Sequence, residues 1–218
     1  MLKIALTNLG AYNEGVLRFV WLDLPCTFAA YVDALEAIGI DGVRYEEVFV
    51  SDIDTDIAGL SGYIGEYPDI EALNWLAGRL EMMAEWEIRH FEALLEAGEH
   101  TDGIMALIDL TEEAHTGDNS SFIPGVTDDD DLGRYWLEES GCYDLRSMGT
   151  LSSYIDFEAF GRDVRLEEGG VYTDDGYVYI FGGSWSDYTR DDIPDEYRLR
   201  GEEEEEDEEE EKEEVKHA

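Results

Sequence analysis

Asp52, Asp54 and Asp56 alternate as the opening ligands of a calcium-binding loop do, the best-spaced metal pattern in this 218-residue chain. The pattern fails at its next positions. Ile57 stands where the sharp turn needs glycine, and Tyr63 where a bidentate glutamate should close the site. His90, His100, His115 and His217 keep no zinc spacing with one another or with Cys26 and Cys142. Asp128, Asp129, Asp130 and Asp131 could hold a divalent ion loosely, but four acids also suit the positive end of a helix dipole. Paired carboxylates are unavoidable among 55 acids and decide nothing about hydrolysis. Glycine-rich phosphate loops, Gly-x-Ser-x-Gly elbows and His-Glu-x-x-His pairs are absent from the sequence. The expectation is a protein with no enzyme activity, cofactor or metal.

What remains is the charge itself. The chain carries 55 Asp and Glu against 14 Lys and Arg, a formal −41. Glu202–Glu214 holds 12 of the acids, and Lys212 and Lys216 are two of the bases. That leaves 43 acids and 12 bases, or −31, over residues 1–200. Self-repulsion on this scale works against a compact state, so a use for it is expected. Duplex DNA carries one charge per roughly 1.7 Å of axis, so this excess equals the phosphates of about 15 base pairs. A dense anionic surface suits a site built for another polyanion. It disfavours direct binding of nucleic acid and of anionic membranes, both of which call for basic patches.

Two plainer readings compete. Adaptation to high salt also gives acidic surfaces poor in lysine, and Lys3, Lys212 and Lys216 are the only lysines here. A glutamate stripe can also be an ordinary solvated helix face, although such faces usually intersperse bases. Arg79 and Arg89 are the only bases between Asp69 and Glu99. An acidic, chaperone-like binder of basic partners is the third possibility, and the tail alone could serve it.

The elements that must carry these acids read as α+β. Residues 2–9 and 16–24 predict a hairpin, Thr27 caps a helix that ends at Gly39, and Tyr45–Ile53 predicts a strand. From Pro68 the pattern turns helical. In one helical phase, Glu81, Glu85, Glu92, Glu96 and Glu99 fall opposite Leu73, Leu76, Leu80, Met83, Phe91 and Leu94. Glu87 lands inside the apolar face, which predicts a break near Ala84–Glu87. Gly103–Glu113 predicts a further helix.

Beyond it, Ser120–Val126 reads as a short strand or loop, and Asp128–Ser140 as a helix closed by Gly141. Its wheel turns Leu132, Tyr135 and Trp136 inward and Asp130, Asp131 and Glu138 outward around Arg134, with Glu139 near the apolar side. Ser152 or Ser153 would cap another helix through Gly161. Val164–Glu168 and Val171–Phe181 read as strands, with Asp175-Gly176 as the turn. The whole predicts three small modules in an elongated chain: α+β over 1–62, helical over 63–117 and α+β over 118–182. A linker and a disordered acidic tail over 183–218 follow. Two cysteines in dissimilar contexts predict buried reduced thiols. With no run of about 18 apolar residues and no secretory signal, a cytoplasmic protein is expected.

Three segments carry a family resemblance. Asn8-Leu9-Gly10-Ala11-Tyr12-Asn13-Glu14-Gly15, Arg134-Tyr135-Trp136-Leu137-Glu138-Glu139-Ser140-Gly141 and Tyr154-Ile155-Asp156-Phe157-Glu158-Ala159-Phe160-Gly161-Arg162-Asp163 resemble, in order, segments of the ArdA antirestriction proteins. The likeness spans about residues 3–181. It implies a protein of mobile genetic elements that inhibits type I restriction–modification enzymes by imitating DNA. It also implies an elongated, curved, three-domain chain that forms a homodimer and fills the DNA-binding groove of the methyltransferase core. The segment matching Asp131–Gly141 is that family's antirestriction motif, although packing or a dimer contact would equally account for such a helix. The partner-binding acids expected on this reading are Glu81, Glu85, Glu92, Glu96, Asp128, Asp129, Asp130, Asp131, Glu138 and Glu139.

Overall fold

A computed structural model describes residues 1–201, and the acidic run expected to be disordered lies outside the described residues. Helices and antiparallel strands are mixed, as an α+β reading requires. The chain forms two compact units. One comprises residues 1–82, 103–108 and the described residues from 188 onward; the other comprises 83–102 and 109–187.

In the first unit, β1 (Leu2–Asn8) lies between β2 (Phe19–Leu24) and β3 (Val48–Thr55), antiparallel to both. Ile4 faces Leu22 on one side and Ile53 on the other, so a single apolar stripe runs across the sheet. Between them the register shifts: Ser51 and Asp52 together oppose Ala5, a bulge on an edge strand. Asp52 and Asp54 are exposed along that strand, and Asp56 beyond it pairs with the N-terminal ammonium. The calcium-like alternation is therefore the outward side of a strand, where charge deters pairing with a foreign edge.

The hairpin connection contains a short helix, α1 (Leu9–Asn13), capped by Asn8. The Asn8 side chain accepts from the Ala11 N–H at 2.8 Å and donates to the Ile38 carbonyl at 3.1 Å. Gly10 is required by contact: a Cβ there would come within 2.6 Å of the Tyr45 ring. Glu14 accepts from the Tyr45 hydroxyl at 2.8 Å and pairs with Arg44 at 3.0 Å. Those bonds, the tyrosine's first, hold its carboxyl below the usual range. The first resembling segment is thus a corner tied to the fold through Asn8 and Glu14.

α2 (Phe28–Ala37) starts at Thr27, whose hydroxyl accepts from the Ala30 N–H, and stops before Gly39 at φ 79°. α3 (Ile70–Met82) buries Leu73, Trp75, Leu76 and Leu80. Its Asn74 accepts from the Cys26 N–H at 2.7 Å and donates to the carbonyls of Cys26 and Tyr197 at 3.0 Å. The stretch after Phe181, read from sequence as a linker, in fact packs here from Tyr188 on. Ile193 is 3% exposed, Tyr188 meets Trp75 edge-on, and the Tyr197 ring fills the space a side chain at Gly78 would need. Local periodicity is missing because these contacts are made to α3 and not within the segment.

The second unit begins with α4 (Glu85–Ala97), after a break at Met83–Ala84. α5 (Ile104–Thr116) is one continuous helix whose first turn counts with the first unit and whose remainder counts with the second. A three-stranded antiparallel sheet runs in the order β4 (Ser120–Pro124), β6 (Gly176–Ile180), β5 (Val171–Tyr172). The β5–β6 turn falls on Asp174-Asp175, one residue before the expected pair. Gly176 serves a close approach, since a Cβ there would lie 2.4 Å from the Ile123 carbonyl oxygen.

α6 (Asp129–Arg134) continues through a π-turn over Tyr135–Glu139. α7 (Phe157–Glu168) is capped by Asp156, not by Ser152 or Ser153, and it runs through Val164–Glu168, which the sequence reading made a strand. A β-branched residue flanked by alternating charge imitates a strand locally, but the helix wins through its packing on α6. The two helices touch backbone to backbone: a Cβ at Gly161 would lie 1.9 Å from the Asp129 carbonyl oxygen, and one at Gly133 would lie 2.0 Å from that of Phe157. Gly161→Ala should therefore destabilise the second unit by about 2–3 kcal/mol. Urea denaturation followed by tryptophan fluorescence would show it, and a loss below about 0.5 kcal/mol would rule out the close crossing.

Candidate partner-binding surface

The break before α4 divides the predicted glutamate stripe. Glu81 belongs to the last turn of α3, whereas Glu85, Glu92 and Glu96 belong to α4, so the single helical phase does not hold across all four. On α4 the three glutamates stay within one narrow sector, with axial separations of roughly 10 and 6 Å. Glu85 and Glu96 are exposed, and Glu92 is half-buried. Glu87, out of place on a continuous wheel, marks the new helix start. It is 7% exposed, accepts from the Ala84 N–H at 2.6 Å and bonds to the His115 imidazole. Those bonds, the histidine's first, hold its carboxyl low.

The second cluster is built at the start of α6. Asp128 caps the helix by accepting from the Asp131 N–H at 2.9 Å, and the three following acids occupy the first turn, where the helix dipole favours them. They are not equivalent. Asp129 turns inward, accepting from Arg165 Nε and the Tyr172 hydroxyl, each at 2.8 Å. Asp130 takes Arg134 at 2.6 Å, and Glu138 lies 3.9 Å from the same guanidinium. Asp131 bonds back to Thr127. Arg134 also covers the Phe157 ring, at 4.5 Å from its centroid.

The π-turn explains Glu139. The Ser140 N–H bonds the Tyr135 carbonyl at 2.8 Å, a five-residue step that shifts the phase of the wheel. Glu138 and Glu139 are then both exposed. Tyr135 and Trp136 pack on Ile123, Val126, Leu132 and Tyr177, as expected. Asp130 and Glu138 thus gather at Arg134, whereas Asp129, paired with Arg165, is spent on the fold.

Sequence reasoning missed the inward bonds. Buried Tyr177 donates to Glu168 at 2.9 Å, where burial raises the glutamate's pKa. His90 lies between the Ala114 carbonyl and the Ser120 hydroxyl, stacked on Phe122, and burial lowers its pKa. Partners 24 and 30 residues away in sequence leave no periodic signature in the chain. Cys26 is half-buried and pushed up to about 11 by that burial, but Cys142 is exposed, against the expectation of two buried thiols. His217 lies outside the described residues.

An acidic α+β protein with clustered, helix-borne carboxylates is the class that fold and surface define. The family model of the antirestriction protein ArdA matches residues 4–179, and the chain belongs to that family. No curated protein matches it. Among the described residues, no helix is long and apolar enough to cross a membrane.

Asp129 separates scaffold from surface. Its bonds to Arg165, and next to Tyr172, lower its pKa in the folded state. The stability it supplies is therefore complete above the unfolded value of about 3.9 and is lost as pH falls through the lower folded value. Asp129→Asn should cost about 1–2 kcal/mol near pH 7, and the difference from wild type should shrink below about pH 4. Denaturant titrations across that range would measure it; a gap that persisted unchanged at low pH would contradict the ion pair.

Proposed function

We propose that this protein is a stoichiometric, non-catalytic inhibitor of type I restriction–modification enzymes that imitates DNA. Its carboxylates would occupy the Lys and Arg positions that hold phosphates in the DNA-binding groove of the methyltransferase core, releasing the enzyme's counterions. The observation that carries this reading is the pairing of family membership with a body at −31 whose acids cluster on helix faces. Glu85, Glu92 and Glu96 supply one patch, with Glu81 contributing from a separate helix. Asp128, Asp130, Asp131, Glu138 and Glu139 supply another, and Asp129 positions that helix.

The homodimer belongs to the same proposal, since a two-fold assembly would lengthen the charge track and match the symmetry of many DNA-binding targets. So does the three-part division at 1–62, 63–117 and 118–182, whose middle helices are shared by the two compact units. A mobile-element origin, action in the cytoplasm and independence from the acidic tail complete it.

Because the field is collective, single reversals such as Glu96→Lys should weaken inhibition by no more than a few-fold. Reversing Glu85, Glu92 and Glu96 together with Asp130, Asp131 and Glu138 should abolish it. Competition with DNA for the methyltransferase core, titrated at several salt concentrations, reads both. Wild-type protein that fails to displace DNA at stoichiometric amounts would sink the proposal.

A further inference from the structure

The second unit contains a cavity of about 340 Å³ between the first half of α4 and one side of β4. Trp86 and Arg89 line it from the helix, about one turn apart, and Phe122 and Pro124 line it from the strand, where alternate side chains share a side. Trp86 is 52% exposed, so its indole is open to a ligand. His90 and Ser120 also line the cavity, but both are committed to the fold. The imidazole lies between the Ala114 carbonyl and the Ser120 hydroxyl, and that hydroxyl also donates to Glu113. Burial holds His90 below its ordinary value, so it brings no charge at neutral pH.

Arg89 is the informative residue. It is half-buried, and among the described residues its guanidinium makes no hydrogen bond or ion pair. Glu85 stands four residues before it and Glu92 three after it on the same helix, the spacings at which opposite charges pair. In a body of 43 acids and 12 bases, an arginine that takes neither neighbour is conspicuous. Its head lies in the cavity wall instead. Nε is closed to solvent, so the donors left for an incoming group are those of the terminal nitrogens.

We propose that this cavity is a receptor for a small monocarboxylate carried on a flat apolar body. A guanidinium takes a carboxylate through paired N–H donors, and Trp86, Phe122 and Pro124 offer the body an apolar wall. The volume is at the small end of ligand pockets, which suits one or two rings. The charge of the protein selects among anions. A body at −31 repels a doubly charged phosphate about twice as strongly as a singly charged carboxylate. Only a ligand with apolar area to bury offsets that repulsion. The site is independent of DNA imitation, and its test needs no restriction enzyme.

The full-length protein would be titrated with phenylacetate, with its neutral isostere phenylacetamide and with inorganic phosphate. Raised salt screens the body's repulsion of anions, and the Trp86 indole N–H resonance serves as the probe. Phenylacetate should move that resonance saturably, phenylacetamide should bind roughly tenfold more weakly, and phosphate should leave it in place. Arg89→Gln should bring phenylacetate down to the affinity of the amide. Should Arg89→Gln disturb folding, the comparison of acid with amide on the wild-type protein decides alone. No saturable shift, equal affinity for acid and amide, phosphate bound as tightly as phenylacetate, or unchanged affinity in folded Arg89→Gln would overturn the proposal.

Discussion

Mutual repulsion among carboxylates is the constraint under which everything else in this protein is arranged. Twelve bases must stabilise a body with 43 acids, so where they stand matters more than how many there are. Lys3, Arg44, Arg134, Arg162, Arg165, Arg190, Arg198 and Arg200 make ion pairs, and the least exposed pairs join elements distant in sequence. Arg165 ties α7 to the first turn of α6 through Asp129, and Arg190 ties the returning C-terminal segment to α3 through Glu71. Glu71 also accepts from the Leu199 N–H at 2.9 Å, so one carboxylate organises two strands of chain. Exposed pairs contribute little to stability, but these are partly shielded and carry additional hydrogen bonds.

The same economy applies without cations. Glu87, Glu113 and Glu168 are held by backbone N–H, amide, imidazole and phenol donors. Each converts a potential source of repulsion into a specific contact. The family-like segments make the point locally: Asn8 and Glu14 bond inward, Gly10 admits the Tyr45 ring, and Gly161 admits the backbone of α6. Much of what makes those segments recognisable is therefore packing.

Legibility in the sequence followed the range of the interactions. Thr27 and Gly39 delimit α2 because caps act within one turn, and the β1–β2 hairpin is plain from two runs rich in β-branched and aromatic residues flanking the turn-like Gly10–Gly15 segment. The misplaced Glu87 disclosed the break between α3 and α4, because burying a carboxylate on an apolar face demands a reason. Val164–Glu168 was misread because only the crossing on α6 decides it. The packing of 188–201 was invisible because its partners lie more than a hundred residues away. Among the surface acids, position could be read but commitment could not: nothing local distinguishes Asp129, bonded to Arg165 and Tyr172, from Asp130 beside it.

That distinction bears on how much of the formal charge is displayed at the surface. A carboxylate that accepts from Arg165 or Tyr177 still counts in the total, but its field is largely spent on a donor a few ångströms away. The effective display comes from acids such as Glu85 and Glu96 on α4 and Glu138 and Glu139 at the π-turn, all exposed. A five-residue step brings two consecutive glutamates to the surface where a regular helix would turn the second toward Leu132 and Tyr177. Bending the ladder there keeps Tyr135 and Trp136 in the core and both charges outside it. A helix so built meets two demands that a uniform wheel sets against each other, dense packing on one side and closely spaced anions on the other.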